Sequence, residues 1–339
     1  MKYIRFDQSG TQGKNRFMYR ESGCCAFMTS AQVLLCISVN ENANDGVVYS
    51  VLLRSVSVLP VLMVAAIITL EYYVFMTEHW VKEFQRSVGL FVLLRILEAA
   101  LFHFVTGCML VAYYKVVFTD PGYVTPAVVQ RISDAMQEAM EGGKSPPMVN
   151  TCRRCKLLKP FRAHHCSFCN RCVLKMDHHC PWVANCVGEG NYKFFFHFVV
   201  YAFLALSMCV RALSGPFQAA LFSEDAPRGA ANFSAMAVVG FVLGGALAIS
   251  LLGFIAVHSY LLVHGATTIE CHQYGRAFPF NQGWRKNFND VFGDTTKDWL
   301  LPTTPARKQR YVLHPAELEH LTADSCFGDS SDQEDDSLL

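Results

Sequence analysis

The chain has 339 residues, of which 52% are hydrophobic and only 17% are charged. A soluble globular domain carries roughly 25% charged residues, so this composition excludes an ordinary soluble protein. The 29 Lys and Arg residues balance 28 Asp and Glu residues, and a net charge of +1 provides no overall field for binding nucleic acid.

The N-terminal region, residues 1–55, precedes the first long apolar stretch. Within it, residues 24–39 are apolar but too short to cross a bilayer, and they lack the cleavage pattern of a signal peptide. We expect an interfacial or partly buried helix there.

Four apolar stretches approach the roughly 20 residues that a helix needs to cross a bilayer. They are residues 56–76, 88–114, 194–210 and 235–263. The sequence therefore predicts an all-α membrane protein, with two transmembrane helices in residues 56–114 and two in residues 194–263. Arg95 and Glu98 interrupt the second stretch at a spacing that lets them share one helix face and neutralise each other.

Lys and Arg residues are distributed unevenly between the segments outside these stretches. There are six Lys and Arg residues in residues 1–55, eleven in residues 115–193 and seven in residues 264–339. Only two lie in residues 77–87 and two in residues 211–234. Because positively charged loops stay in the cytosol, both termini and the segment 115–193 are predicted to be cytosolic.

Beyond the fourth stretch the chain becomes polar. Residues 264–302 still contain enough aromatic side chains to pack against the core or the membrane surface, and we expect a C-terminal packing segment there. Residues 303–339 end in an acidic, Ser-rich run that cannot bury enough apolar area to offset chain entropy, which predicts a disordered tail.

One short segment between the second and third stretches holds half of the 14 cysteines. Its potential ligands are Cys152, Cys155, His164, His165, Cys166, Cys169, Cys172, His178, His179, Cys180 and Cys186. Two-residue gaps between cysteines let both sulfurs reach one ion at about 2.3 Å, and cytosolic thiols stay reduced, so zinc is the natural occupant. Two tetrahedral sites use eight of these residues and leave three. Closed thiolate sites expose no position for water, which favours structural metal.

A cysteine left outside the metal sites has a possible chemical role beside Asp177 and His178. The thiolate is the nucleophilic form of cysteine, an imidazole can accept its proton, and a carboxylate can orient that imidazole. From these residues alone, a further metal ligand is the other interpretation of such a cysteine.

The spacing of the whole segment identifies a family resemblance. The pattern is Cys152-x2-Cys155, Pro160-x-Arg162, His165-Cys166-x2-Cys169-x2-Cys172-x4-Asp177-His178-His179-Cys180-x-Trp182 and Asn185-Cys186-Val187-Gly188-x2-Asn191. It closely resembles the DHHC family of protein S-acyltransferases (palmitoyltransferases). Three more segments are similar to other motifs of this family. They are Asp120-Pro121-Gly122, Thr267-Thr268-Ile269-Glu270 and Asn287-x3-Val291-Phe292-Gly293. The resemblance covers about residues 56–293, and Phe161 stands where a second Pro is common.

The resemblance implies that residues 115–193 contain a cytosolic DHHC domain with two structural zinc ions, each held by three Cys and one His. The first set would be Cys152, Cys155, His165 and Cys172, and the second Cys166, Cys169, His179 and Cys186. His164 would then have no catalytic role.

The resemblance also implies a catalytic group of Cys180, His178 and Asp177. Cys180 would take a fatty acyl group, palmitoyl above all, from acyl-CoA and pass it to cysteines of membrane-associated proteins. It assigns Trp182 and Thr268 to the acyl-CoA-binding part of the site, with Trp182 at the mouth and Thr268 against Asp177. An interfacial anchor is an equally good interpretation of Trp182. The family implies a Golgi, endoplasmic reticulum or plasma membrane location.

Two other classes of function compete with this prediction. A non-enzymatic membrane adaptor would use the zinc domain as a docking surface, but it would not need Asp177, His178 and Cys180 to match a nucleophile pattern. A channel or transporter would need polar residues along a pathway, and helix packing explains the few polar residues in the first two stretches.

Overall fold

The computed structural model describes residues 44–142, 150–222 and 235–304. Within these residues, four helices are long and apolar enough to cross a membrane, and the cysteine-rich segment lies between the second and the third. The predicted fold class is confirmed. The helix expected within residues 24–39 and nearly all of the expected disordered tail lie outside the described residues.

The first of these helices changes its winding before it ends. Helix α1, Asn44–Val74, begins upstream of the predicted apolar stretch and continues into a π-helical stretch, Phe75–Trp80, and then α2, Val81–Arg86. Phe75 begins the π-helical stretch, and its buried ring lies against the helix Leu90–Phe118. There it stacks on Phe102, with 3.8 Å between ring centroids. Aromatic stacking adds to the energy of burial.

The other three long helices are α3, Leu90–Phe118, α5, Tyr192–Phe222, and α6, Ala235–His264; the short α4 is described below. Helix α5 extends well past residue 210, where the predicted third stretch ended. The predicted pair in α3 is present, with Arg95 Nη1 2.8 Å from Glu98 Oε2. A shared apolar core lies between the helices and includes Phe75, Phe102, Val105, Met109, Tyr201 and Ala205.

Three short antiparallel hairpins make up the cysteine-rich segment as far as it is described. They pair β1, Asn150–Thr151, with β2, Leu158–Lys159; β3, His164–Cys166, with β4, Arg171–Val173; and β5, His178–Cys180, with β6, Asn185–Val187. The hairpins repeat every 14 residues, since Asn150, His164 and His178 face Lys159, Val173 and Val187 in equivalent registers. Their turns repeat as well, with a left-handed residue at Lys156, Asn170 and Ala184 (φ 57°, 52° and 49°).

Helix α4, Pro126–Glu141, covers one side of the hairpins. Its residues Val128 and Ile132, one helical turn apart, are buried in a cluster with Cys152 and Cys172. The apolar stripe of this amphipathic helix therefore packs on the cysteine-rich segment.

A tight turn after α3 joins the membrane helices to the hairpins. Asp120 Oδ1 accepts hydrogen bonds from the main-chain N–H groups of Gly122 and Tyr123, each at 2.8 Å. The N–H of Gly190 donates to Pro121 O at 2.9 Å. A Cβ at Gly190 would lie 2.0 Å from Asp120 O, so only glycine permits this approach.

Three short helices follow α6: α7, Thr268–Tyr274, α8, Trp284–Phe292, and α9, Thr296–Leu300. Asn287 joins this region to the end of α6, because its Nδ2 donates to Val263 O at 2.7 Å.

A polar stripe on α5 holds the last described residues. Lys193, His197 and Tyr201 follow one another at intervals of four residues, so they lie on one face of the helix. Each donates a hydrogen bond to a main-chain carbonyl, and these carbonyls belong to Phe292, Trp299 and Leu300 respectively.

Candidate active site and metal centres

Two groups of ligand-type side chains come together within the described residues, each with three Cys and one His. The first consists of Cys152, Cys155, His165 and Cys172, and the second of Cys166, Cys169, His179 and Cys186. The ligand atoms of each group lie within 4.8 Å of one another. These are the same two sets of four that the family resemblance implies.

The spacing of the ligand atoms suits a tetrahedral metal ion. Zinc with bonds of about 2.3 Å to sulfur and 2.0–2.1 Å to nitrogen places its ligand atoms roughly 3.5–3.8 Å apart. In the first group, the sulfurs of Cys155 and Cys172 are 3.7 Å apart. In the second, the sulfurs of Cys169 and Cys186 are 3.5 Å apart, and His179 Nδ1 is 3.6 Å from Cys186 Sγ. The donor atoms and their spacing therefore fit two closed zinc sites.

The hairpin repeat explains how each group forms. Cys152 and Cys155 occupy the turn between β1 and β2, while His165 and Cys172 face each other across β3 and β4. Each site thus joins the turn of one hairpin to a facing His and Cys of the next. The second group is the first one moved by 14 residues along the chain.

The same repeat explains why Cys180 belongs to neither group. It occupies the turn position of a first ligand cysteine, but Val183 stands where the second cysteine would be. The facing His and Cys of a next hairpin would fall at residues 193 and 200, which are Lys193 and Val200 within α5. In the described part of the chain, the third turn therefore does not complete a metal site.

The strand β5 sends its side chains to two different sides. Side chains alternate along a strand, so His179 faces the second metal group while His178 and Cys180 share the opposite face. Cys180 is buried in an apolar cluster that includes Val116 of α3 and Phe195 of α5. The thiol is consequently placed against the membrane helices, away from the metal ligands.

Asp177 and His178 form a hydrogen-bonded pair beside this thiol. His178 Nδ1 lies 2.7 Å from Asp177 Oδ2, and Asp177 is only 1% exposed. The main-chain N–H of Thr268 donates to Asp177 Oδ1 at 2.9 Å, and the Thr268 hydroxyl donates to Oδ2 at 3.2 Å and to the Asp177 carbonyl. Thr268 therefore contacts Asp177, as the resemblance implies.

The charges in this group favour an imidazolium. Burial opposes a charged His178 ring, but hydrogen bonds to Asp177 and Cys180, together with their negative charges, raise the pKa of His178 to about 9. Burial also opposes the Asp177 carboxylate, yet the hydrogen bond and charge of His178, the charge of His258 and the Thr268 amide lower the pKa of Asp177. Since Nδ1 of His178 is engaged by Asp177, Nε2 is the ring nitrogen left to accept a proton from Cys180.

A buried ion pair fixes the segment that carries Thr268. Arg162 donates to both carboxylate oxygens of Glu270, at 2.5 and 2.7 Å, and to Gly265 O at 2.8 Å. Glu270 in turn caps the start of α7 with Thr267. The pair ties the loop before β3 to the residues after α6, and so supports the contact of Thr268 with Asp177.

Trp182 lies in the short 3₁₀ turn Pro181–Val183, and half of its surface is exposed. Its main-chain carbonyl accepts a hydrogen bond of 2.9 Å from the hydroxyl of Tyr113 on α3. Trp182 therefore follows the buried Cys180 by two residues, with half of its surface accessible to a ligand or lipid.

Sequence reasoning did not single out His258, although the structure brings it to this group. His258 lies in α6, is 4% exposed, and its ring centroid is 6.0 Å from that of His178. A polar side chain inside a strongly apolar stretch was the available signal.

Comparison with known proteins gives consistent results. The sequence model of the family "DHHC palmitoyltransferase" matches residues 148–275. "Probable protein S-acyltransferase 14" of Arabidopsis thaliana is 36% identical over 264 residues, which are 74% of this chain and 85% of that protein. "Probable protein S-acyltransferase 13" of the same plant is 38% identical over 74% of this chain and 86% of its own length. "Palmitoyltransferase ZDHHC2" of Danio rerio is 31% identical over 72% of this chain and 73% of its own length.

Proposed function

The chain belongs to the DHHC palmitoyltransferase family, and we propose that it is a protein S-acyltransferase that moves a fatty acyl group, palmitoyl above all, from acyl-CoA through Cys180 to cysteines of membrane-associated proteins. One observation carries this proposal. A thiol outside both metal groups lies beside a hydrogen-bonded His178 and Asp177 and against the apolar membrane helices.

In the first step, His178 accepts the Cys180 proton and the resulting thiolate attacks the carbonyl carbon of the acyl-CoA thioester. Asp177 holds the imidazole in the required orientation and stabilises its charged form. The bond between the carbonyl carbon and the CoA sulfur then breaks, His178 returns the proton to that sulfur, and CoA leaves as a thiol. The acyl chain remains on Cys180 as a thioester.

In the second step, the thiol of a substrate protein gives its proton to His178 and attacks the acyl-enzyme carbonyl. The bond to Cys180 breaks, and the Cys180 sulfur recovers a proton from His178. Both steps exchange one thioester for another, so little free energy separates them, and thiolate activation and positioning must provide the rate.

The place of Cys180 beside α3 and α5 suits a substrate with a long hydrocarbon chain. Each methylene kept out of water contributes about 0.8 kcal/mol, so a chain buried between the helices would bind strongly while its thioester reaches the thiol. Trp182, half exposed and two residues from Cys180, would contact the acyl-CoA at this mouth.

The distribution of positive charge supports an orientation with both termini and the cysteine-rich segment in the cytosol, where acyl-CoA and reduced thiols are found. We place the protein in an endomembrane, Golgi or endoplasmic reticulum, or in the plasma membrane. The two zinc ions, held by the eight ligands, stabilise the hairpins that position Cys180.

The test compares Cys180→Ser with Cys271→Ser, a cysteine outside both metal groups. Purified protein is incubated with a palmitoyl-CoA that carries a clickable group, and the hydroxylamine-sensitive label is located on tryptic peptides. We expect label on the peptide of Cys180 in the wild type and in Cys271→Ser, transfer from it to an added cysteine peptide, and none in Cys180→Ser. All three proteins should bind two zinc ions.

The adaptor interpretation makes the opposite prediction. Its cysteines are purely structural, so Cys180→Ser would leave any labelling unchanged. Equal labelling of Cys180→Ser and wild type, with two zinc ions in both, would exclude Cys180 as the nucleophile.

A further inference from the structure

A second histidine packs against the active-site histidine from the membrane side. His258 of α6 lies 6.0 Å from the ring of His178, and both rings meet Phe195 of α5 edge to face, at 5.0 and 5.1 Å. The three rings form one group that spans β5, α5 and α6.

The burial of His258 has a cost that an apolar residue would avoid. It is 4% exposed among aromatic neighbours that include Phe254, and a buried imidazole without a hydrogen bond costs about 1–3 kcal/mol. Its Nδ1 lies 3.1 Å from the hydroxyl of Tyr192, the first residue of α5. The hydrogen bond between this hydroxyl and Nδ1 fixes the plane of the His258 ring.

We propose that His258 and Tyr192 form a positioning pair, which holds the ring of His178 at the angle that proton transfer with Cys180 requires. This inference rests on the proposed function. Asp177 holds one ring nitrogen of His178, but a single hydrogen bond leaves the ring free to tilt about it. Contacts with two further rings remove that freedom, and catalytic groups must be held within about 10–20° of their productive geometry.

The pair also aligns two parts of the molecule. Asp177 and His178 belong to the hairpins, whereas Tyr192 and His258 belong to membrane helices. The ring contacts therefore set the position of β5 relative to the helices that would hold the acyl chain.

The test measures single-turnover acylation of Cys180 by palmitoyl-CoA in the full-length, zinc-loaded protein. We expect His258→Leu and Tyr192→Phe each to lower the rate constant at saturating acyl-CoA by about ten- to a hundredfold, as small misplacements of catalytic groups do. The half-saturating concentration should change by less than about twofold, because neither side chain is assigned to acyl-CoA binding. The double variant should be no slower than His258→Leu, since both changes break one interaction.

Matched variants separate positioning from folding. His258→Asn keeps a hydrogen-bond acceptor near the place of Nδ1, and it should recover much of the rate lost in His258→Leu. His197→Leu and Tyr201→Phe remove the same groups from α5 where they bind carbonyls of residues 299 and 300. Their rate constants should equal that of the wild type.

Each outcome bears on one of the two proposals. If the wild type forms no acyl-enzyme, the proposed function fails, whatever the variants do. If the wild type reacts and His258→Leu and Tyr192→Phe react at the same rate constant, the positioning pair is wrong and the proposed function stands. A lower labelled fraction with an unchanged rate constant would likewise overturn it, because that result shows only a loss of folded protein.

Discussion

Removal of the Arg162 side chain charge tests how the hairpins and the segment after α6 are held together. Arg162 and Glu270 are 9% and 4% exposed at the side chain, and two hydrogen bonds of 2.5 and 2.7 Å connect them. Arg162→Met keeps the aliphatic stem and a favourable contact with Phe280, whose ring lies 4.4 Å from the guanidinium. What it removes is the positive charge beside a buried carboxylate.

The expected loss follows from the burial of the charge that remains. Breaking a buried ion pair by removing one partner costs about 3–5 kcal/mol, because the other charge stays buried without compensation. A domain of this size loses about 2–4 °C of melting temperature per kcal/mol, which predicts a decrease on the order of 10 °C. Since Thr268 and Glu270 share α7, the contact with Asp177 should weaken, and the acylation rate constant should fall about tenfold or more.

The assay is thermal unfolding of the detergent-solubilised protein, followed by tryptophan fluorescence, together with the labelling rate. The matched control is Arg162→Met with Glu270→Gln, which removes both charges of the pair while the amide oxygen can still cap Thr267. This double variant should melt well above Arg162→Met. The reasoning is refuted if Arg162→Met melts with the wild type, or if the double variant melts no higher than Arg162→Met.

Three further changes test other parts of the structure. Gly190→Ala should lower the free energy of unfolding by several kcal/mol or prevent folding, because its Cβ would lie 2.0 Å from Asp120 O. A folded yield equal to that of the wild type in size-exclusion chromatography would contradict this close approach. Val183→Cys should let added zinc bind Cys180 and inhibit acylation, with recovery on mild chelation; the labelling of wild type under the same zinc concentration is the control. Extraction of the metal with a strong chelator should unfold the hairpins and abolish labelling of Cys180. If the circular dichroism spectrum and the labelling are both unchanged after complete loss of zinc, the ions are dispensable.

The long helices were predictable because hydropathy is a local property of the sequence. Each of the four stretches corresponds to a helix long enough to cross a membrane, and the pair of Arg95 and Glu98 lies where its spacing indicates. The ends of the helices were less predictable. Helix α5 continues to Phe222 through Pro216, because the membrane boundary does not coincide with the end of the helix.

The metal ligands were predictable as a set but not as two groups. Eleven Cys and His residues are compatible with several ways of choosing two sets of four, and only the family pattern separated them. The 14-residue repeat was present in the sequence, and it distinguishes Cys180 by the valine at residue 183. A count of possible ligands does not show this repeat, which becomes visible only when the residue numbers of equivalent ligands are compared.

His258 and Tyr192 could not be assigned from the sequence, since 66 residues separate them and nothing local connects them. Their role depends on how α5 and α6 pack beside β5. The link from Arg162 to Glu270 is likewise a product of tertiary structure, because it joins residues 108 positions apart.

The attachment of the last described residues to α5 uses three main-chain carbonyls as acceptors, and Lys193 adds two side-chain partners, Thr303 Oγ1 at 3.5 Å and Asp298 Oδ1 at 3.8 Å. His197 and Tyr201 bond only the carbonyls of residues 299 and 300 in this segment, so these two contacts do not depend on which side chains stand there. Residues 299 and 300 could be exchanged without losing the bonds from His197 and Tyr201, as long as the number of residues between the three carbonyls is kept. A single insertion or deletion between Phe292 and Leu300 would shift the carbonyls away from their donors on the helix, so the length of this stretch is constrained even where its side chains are not.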